Sequence, residues 1–299
     1  MLRDTAHLAP GPMRLPMSLS AAPGTPPVDP TARPEALGPL LRDWRTRRRR
    51  SQMDLALDVG MSTRHLSFIE TGRARPSPGV LLALAEQLEV PLRERNRLLL
   101  AAGYAPRYAE RALDSEAMAP VRASLQRLLD AHDPYPGVAL DRHWNVVLAN
   151  RAAQALVALL PPALQGPPLN LMRASLHPEG FAAHTANFDD WGRYLVEALQ
   201  RVATQSGDPG LLALEAEVRT YPGVAALRPR DEPAVPAAPP LLVPCVMHMP
   251  QGLLSMFTTL TTFGSPRDIT LEELCIELFY PADAASEAML RAAAPPPAG

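Results

Sequence analysis

The eighteen residues from Gln52 to Ile69, Q-M-D-L-A-L-D-V-G-M-S-T-R-H-L-S-F-I, leave few folds open. The fifth, Ala56, is small enough to let two helices approach closely. The ninth, Gly60, frees the backbone for a tight turn. Apolar residues at the fourth, eighth, tenth, fifteenth and eighteenth places (Leu55, Val59, Met61, Leu66 and Ile69) seal the angle between the helices. Ser51, with Asp54 as an imperfect capping box, opens the first helix, and Ser62 opens the second. This combination predicts a helix-turn-helix.

At 100° per residue, Leu66 and Ile69 fall about 60° apart and define the buried side of the second helix. Arg64 falls opposite them, flanked by Ser67 and Phe68, with Thr63 in the first turn. That face holds no acid, because Glu70 lies toward the buried edge. Further helices surround the pair. Leu37, Leu40, Leu41 and Trp44 form one apolar stripe. Leu81, Leu82, Leu84, Ala85 and Leu88 form another, and Leu98, Leu99 and Leu100 are expected inside the last. Five short helices over 35–105 predict an all-α domain. The run Arg47–Arg50 reads either as a phosphate contact or as a solvated turn.

Charge divides the chain. Residues 33–111 carry 15 Arg against 9 acids, and 112–299 carry 12 Arg against 20 acids. One part is suited to a polyanion and the other is not. All 29 basic residues are Arg, as a GC-rich, bacterial genome would favour. Residues 1–34 hold 8 of the 35 prolines and no apolar period, so they read as a disordered extension, with Met13 and Met17 as alternative starts.

After a linker at 106–117, the pattern becomes mixed α+β over 118–290, with a disordered tail at 291–299. G-V-A-L-D and W-N-V-V-L-A-N flank a polar turn at Arg142-His143 and predict a hairpin. Residues 164–219 read as mostly helical. The stretch 222–250 holds 8 prolines and must contain a loop. L-L-V-P-C-V-M-H-M, L-L-S-M-F-T-T-L-T-T-F and 274–280 read as strands. Catalytic motifs are missing: no GxSxG, P-loop, GxGxxG or HExxH occurs, and no metal-ligand spacing, so no catalytic residue, metal or cofactor is expected. The only cysteines, Cys245 and Cys275, read as free thiols of a cytoplasmic protein. No apolar run reaches the ~18 residues of a membrane span.

The N-terminal motifs S-Q-M-D-L-A and V-G-M-S-T-R-H-L-S-F-I-E-T-G-R resemble the Cro/C1-type, or xenobiotic-response-element, repressor domain. That resemblance implies a five-helix bundle whose third helix enters the major groove of double-stranded DNA. It puts Thr63, Arg64, Ser67 and Phe68 on bases, although Phe68 reads equally as packing. Gln52 matches a phosphate-contacting position; His65, Arg73 and Arg75 are expected at phosphates too. Arg45 and Glu70 match a buried structural pair. Arg50 departs from the pattern, which has an apolar residue there.

Further motifs resemble the MmyB-type regulators. They are L-D-R-H-W-N-V-V-L-A-N, N-L-M-R-A-S-L-H-P-E-G and L-S-M-F-T-T-L-T-T-F-G-S-P-R-D-I-T-L-E-E-L. Their C-terminal half is a PAS-like ligand-binding domain. The resemblance implies a multidomain, one-component regulator acting as a homodimer on a two-fold operator, and an apolar, fatty-acid-like ligand. Met172, Leu176, Phe181, Trp191, Leu254, Met256, Phe257 and Leu260 are candidate pocket residues, or plain core. Arg173 is a candidate partner for a carboxylate head group, or a surface salt bridge. Enzyme and protein-interaction adaptor are the alternative readings.

Overall fold

The computed structural model describes residues 35–227 and 242–293. The expected extension, most of the proline-dense loop and the end of the tail lie outside them.

Five helices form the first unit: α1 (Leu37–Arg47), α2 (Gln52–Asp58), α3 (Thr63–Glu70), α4 (Pro78–Gln87) and α5 (Leu92–Ala101). The middle three are each capped by one hydroxyl. Ser51, Ser62 and Ser77 accept from the backbone N–H groups of Asp54, His65 and Val80. Leu41, Leu55, Leu66, Ile69, Leu81, Leu84 and Leu98 are almost fully buried in one core. Leu100 departs from the expectation and is 58% exposed, because one helical step from Leu99 turns it outward. Gly60 takes φ +69° between α2 and α3, with open space around it. Gly38 has a different role: a Cβ there would meet the Glu70 carbonyl at 2.3 Å, so its lack of a side chain lets α1 lie against α3.

The second unit is α+β. Its helices are α6 (Ala119–Ala131), α7 (Arg151–Val157), α8 (Pro162–Gln165), α9 (Leu171–Leu176), α10 (Phe188–Ser206), α11 (Pro209–Arg219), α12 (Pro222–Ala225), α13 (Ile269–Glu273) and α14 (Ala284–Ala293). Its strands are β1 (Gly137–Leu140), β2 (Val146–Ala149), β3 (Cys245–Met249), β4 (Gly252–Thr262) and β5 (Cys275–Pro281). They form one antiparallel sheet in the order β2-β1-β5-β4-β3. The helix α6 covers one face through Leu125 and Leu129 against Ala139 and Ile276. The other face packs on α9, α10 and α11, where Trp191, Leu195 and Leu199 recur at four-residue spacing on α10. The multidomain architecture is thus an all-α five-helix domain followed by an α+β domain built on one antiparallel sheet.

Two boundaries differ from expectation. The helix α14 runs to Ala293, past 290, because Leu290 still packs in the core. The stretch 106–117 is tied down rather than free. Arg111 bonds Asp268 at 2.8 Å, and the Ile269 N–H donates to the Ala109 carbonyl.

Candidate nucleic-acid interface and apolar cavity

Thr63, Arg64 and His65 are exposed on the first turn of α3, while Leu66 and Ile69 are buried behind them. Ser67 and Phe68 are half-buried. The Arg64 guanidinium lies 5.2 Å from the centre of the Phe68 ring, so cation and ring share one patch.

The helix is held to the bundle from its last residue. Glu70 accepts from Arg45 Nε at 2.6 Å and Nη2 at 3.0 Å, and from Gln52 Nε2 at 2.7 Å. This bidentate pair is nearly dry, with side-chain exposures of 11% for Arg45 and 2% for Glu70. Hydrogen bonding to Glu70 raises the Arg45 pKa above its usual value. Gln52 therefore spends at least one N–H on Glu70. Arg73 is exposed. Arg75 folds back, 4.5 Å from the Tyr104 ring centre and bonded to the Gly103 carbonyl at 3.0 Å.

The arginine run forms an exposed turn at the end of α1, and three of its four side chains have partners within the protein. Arg47 pairs with Asp43 and reaches the Gln205 carbonyl, Arg48 donates to the Leu88 and Glu89 carbonyls at the end of α4, and Arg50 pairs with Asp58. The run clamps α1 to its neighbours, which explains why an Arg stands where the resembled pattern has an apolar residue.

In the second unit an apolar cavity of about 70 Å³ lies between the sheet and its covering helices. Met172, Phe181, Trp191 and Met256 line it, together with Trp144, Val146, Met247 and Phe279. Leu176 and Leu254 belong to the same core but do not line this space. Leu254 instead lines an adjacent open groove of about 980 Å³ that shares Pro136 and Leu156 with the cavity wall. Two pocket candidates need correcting. Phe257 sits on the opposite face of β4, stacked on Tyr280 at 5.5 Å. Leu260 has the right parity but lies beyond the cavity, 55% exposed. Arg173 is engaged by Glu217, with two bonds of 2.7 Å. That contact holds the Glu217 carboxyl below its usual range.

Three features were not singled out in the sequence. Glu277 on β5 lines the cavity, is only 5% exposed, and its Oε2 has no hydrogen-bond partner. Burial pushes its carboxyl up to about 7, against the opposing pull of the Thr258 hydroxyl. The signal was present: a lone acid at even spacing from Phe279 in an apolar strand shares that residue's face. Trp144 was hidden because it belongs to a turn, where it takes φ +66°. The Asp141 carboxylate shapes that turn by accepting from the His143 and Asn145 N–H groups at 2.8 and 2.9 Å.

The third feature joins the two units. Arg142, in the same turn, bonds Asp208 at 3.0 Å and approaches Glu273 at 3.8 Å. Glu273 accepts from Arg93 of α5 at 2.7 and 2.9 Å, and Glu272 accepts from the Leu92 N–H at 2.7 Å. Glu110 also pairs with Arg93. Nothing in the periodicity of separate segments reveals contacts between them. Among the described residues no cluster of three potential metal ligands exists, and no helix is long and apolar enough to cross a membrane.

Comparison with known proteins agrees with this division. A helix-turn-helix domain family matches residues 36–98, and the MmyB-like transcription regulator ligand binding domain matches residues 121–293. No curated protein gives a significant match. Among solved structures, the PAS domain of BvgS from Bordetella pertussis is similar at 13% identity, covering 58% of this chain and 94% of that one with a TM-score of 0.26. With the ligand-binding family covering more than half of its length behind a helix-turn-helix domain, the chain belongs to the MmyB-like transcription regulators.

Proposed function

We propose that this ligand-sensing regulator is a cytoplasmic homodimer that reads a two-fold operator through α3 and responds to an apolar, chain-like molecule held in the sensor. The observation that carries the reading is the outward face of α3: Thr63 and Arg64 exposed, no acid beside them, and Glu70 withdrawn into the Arg45 pair. Arg64 is the base reader, donating two hydrogen bonds to a guanine edge, with Thr63, Ser67 and Phe68 at neighbouring bases. His65, Arg73 and Arg75 meet phosphates. Gln52 contributes its remaining amide N–H to a phosphate while steadying Glu70. Two copies are needed because a single module has a small contact area and draws most of its affinity from phosphates.

Signal transfer follows the charged chain between the units. Trp144 touches the ligand space, and Arg142, two residues earlier, touches Glu273, which holds Arg93 of the DNA-binding unit. A guest that moves the turn thereby shifts the seat of α5 and the spacing of the two recognition helices.

Selection of binding sites from a random DNA pool, followed by gel shifts, tests the reading. The wild type is expected to enrich a two-fold motif, and Arg64→Ala to lose preference at one base of each half-site. A folded Arg64→Ala chain with an unchanged motif would remove α3 as the reader. A wild type that enriches no motif would point to an adaptor instead.

A further inference from the structure

The cavity wall is apolar except at a few points, and those points are unequal. The Thr185 hydroxyl is satisfied by the Phe181 carbonyl at 2.9 Å. The Cys245 thiol is pushed up to about 12 by burial and, second, by Glu277, so it stays neutral. Among the described residues Glu277 Oε2 is the fully buried side-chain oxygen of this wall without a partner, whereas the Ser175 hydroxyl, also on the wall, belongs to a half-buried residue. Among the described residues the lining includes no Arg or His, and the nearby Arg173 is bonded to Glu217.

A buried acceptor without a partner carries a desolvation penalty that a donor relieves. An anionic guest does the reverse. It adds a second acceptor, of the same charge whenever Glu277 is ionised, with no cation to balance it. Every element around Glu277 agrees. Val138 pairs with it from β1 and Leu260 from β4. Tyr194 on α10, Cys245 on β3 and Cys275 on its own strand are weak acids whose pKa values rise through burial first and Glu277 second. Among the described residues no positive charge acts on it, and Arg201 acts on Tyr194.

We propose that Glu277 is the polar anchor of the sensor cavity and selects an apolar ligand whose polar end donates a hydrogen bond, an amine or an alcohol, over the carboxylate of a fatty acid. This rests on the sensor reading above and gives that ligand its head group. The apolar chain of that reading is kept, and only the end that meets Oε2 is specified.

Titration calorimetry on the full chain with three probes of equal chain length, decylamine, 1-decanol and decanoate, each below its micellar concentration, decides the matter. Decylamine and decanol are expected to bind at least tenfold more tightly than decanoate. Glu277→Gln supplies an amide donor in nearly the same shape, so it should narrow that gap at least tenfold, mainly by gaining decanoate. Circular dichroism and an unchanged gel shift establish that the variant is folded; the wild-type series decides even if it is not. Decanoate binding as tightly as the other two would overturn the anchor while leaving the sensor intact. The same holds if a folded Glu277→Gln keeps the wild-type order. Binding of none of the three would overturn both.

Discussion

Replacing Glu277 by Gln changes the pH dependence of stability in a way the structure quantifies. The carboxyl titrates near 7 in the fold rather than near 4.5, because burial penalises its charged form. A raised carboxyl pKa means that the folded state binds the proton more tightly than the unfolded chain. The associated stability is fully present below about pH 4.5 and is lost as pH rises through 7. At 1.36 kcal/mol per unit the whole effect is about 3 kcal/mol, most of which falls between pH 5 and 8. Gln does not titrate. Cys245, Cys275 and Tyr194 are all pushed upward and stay neutral in this window. Urea unfolding of both proteins at pH 5 and pH 8, followed through Trp fluorescence of the sensor transition, gives the difference of differences and cancels titration elsewhere. The Gln variant should gain roughly 2–3 kcal/mol on the wild type between the two pH values. A gap that stays constant within about 0.5 kcal/mol would mean that water or a rearranged partner solvates the carboxylate, and Glu277 would not be the unpartnered buried acid of the cavity wall.

Arg45→Met strands the Glu70 carboxylate, 2% exposed, with only Gln52 beside it; a loss of about 3 kcal/mol from the DNA-binding unit is expected in thermal or urea melts. Gly60→Ala has open space but an unfavourable φ of +69°, so a smaller cost of about 1–2 kcal/mol should appear in the same melts. Arg93→Ala removes the bonds to Glu273 and Glu110 without touching α3. Gel shifts should show ligand-free DNA affinity within about threefold of wild type, a difference under 1 kcal/mol, and a ligand response that is lost.

What the sequence revealed followed the range over which each signal acts. The α2–α3 unit was legible because its determinants, Ala56, Gly60 and Leu66, lie within one short window. The strands were legible from their composition, and the hairpin from its turn. Leu100 was misjudged because three successive leucines do not mark which of them faces in; the helical step does. Phe257 and Leu260 show the same limit in a strand. Parity assigns a face, but how far a cavity extends along that face depends on the helices above it. The arginine run read as an exposed turn, but several of its partners, the carbonyls of Leu88, Glu89 and Gln205, are backbone groups of distant elements and leave no trace in sequence.

The size of the cavity bears on how sensing works. At about 70 Å³ it has half the ~150 Å³ that accommodates benzene, so no chain of ten carbons fits the closed form. A guest must push wall atoms aside. The wall is suited to that, since Met172, Met247 and Met256 are unbranched and adapt at low cost. The opposite boundary is stiffer: Asn170, 4% exposed, bonds the His143 carbonyl at 2.8 Å and caps α9, while the Leu171 N–H donates to the Trp144 carbonyl. Trp144 therefore moves with the turn that carries Arg142. Expansion that displaces the ring also drags the Arg142 contact with Asp208 and Glu273, and through it Arg93. A cavity already large enough for its guest would bind without this displacement and would have no differential contact with which to bias the DNA-binding unit.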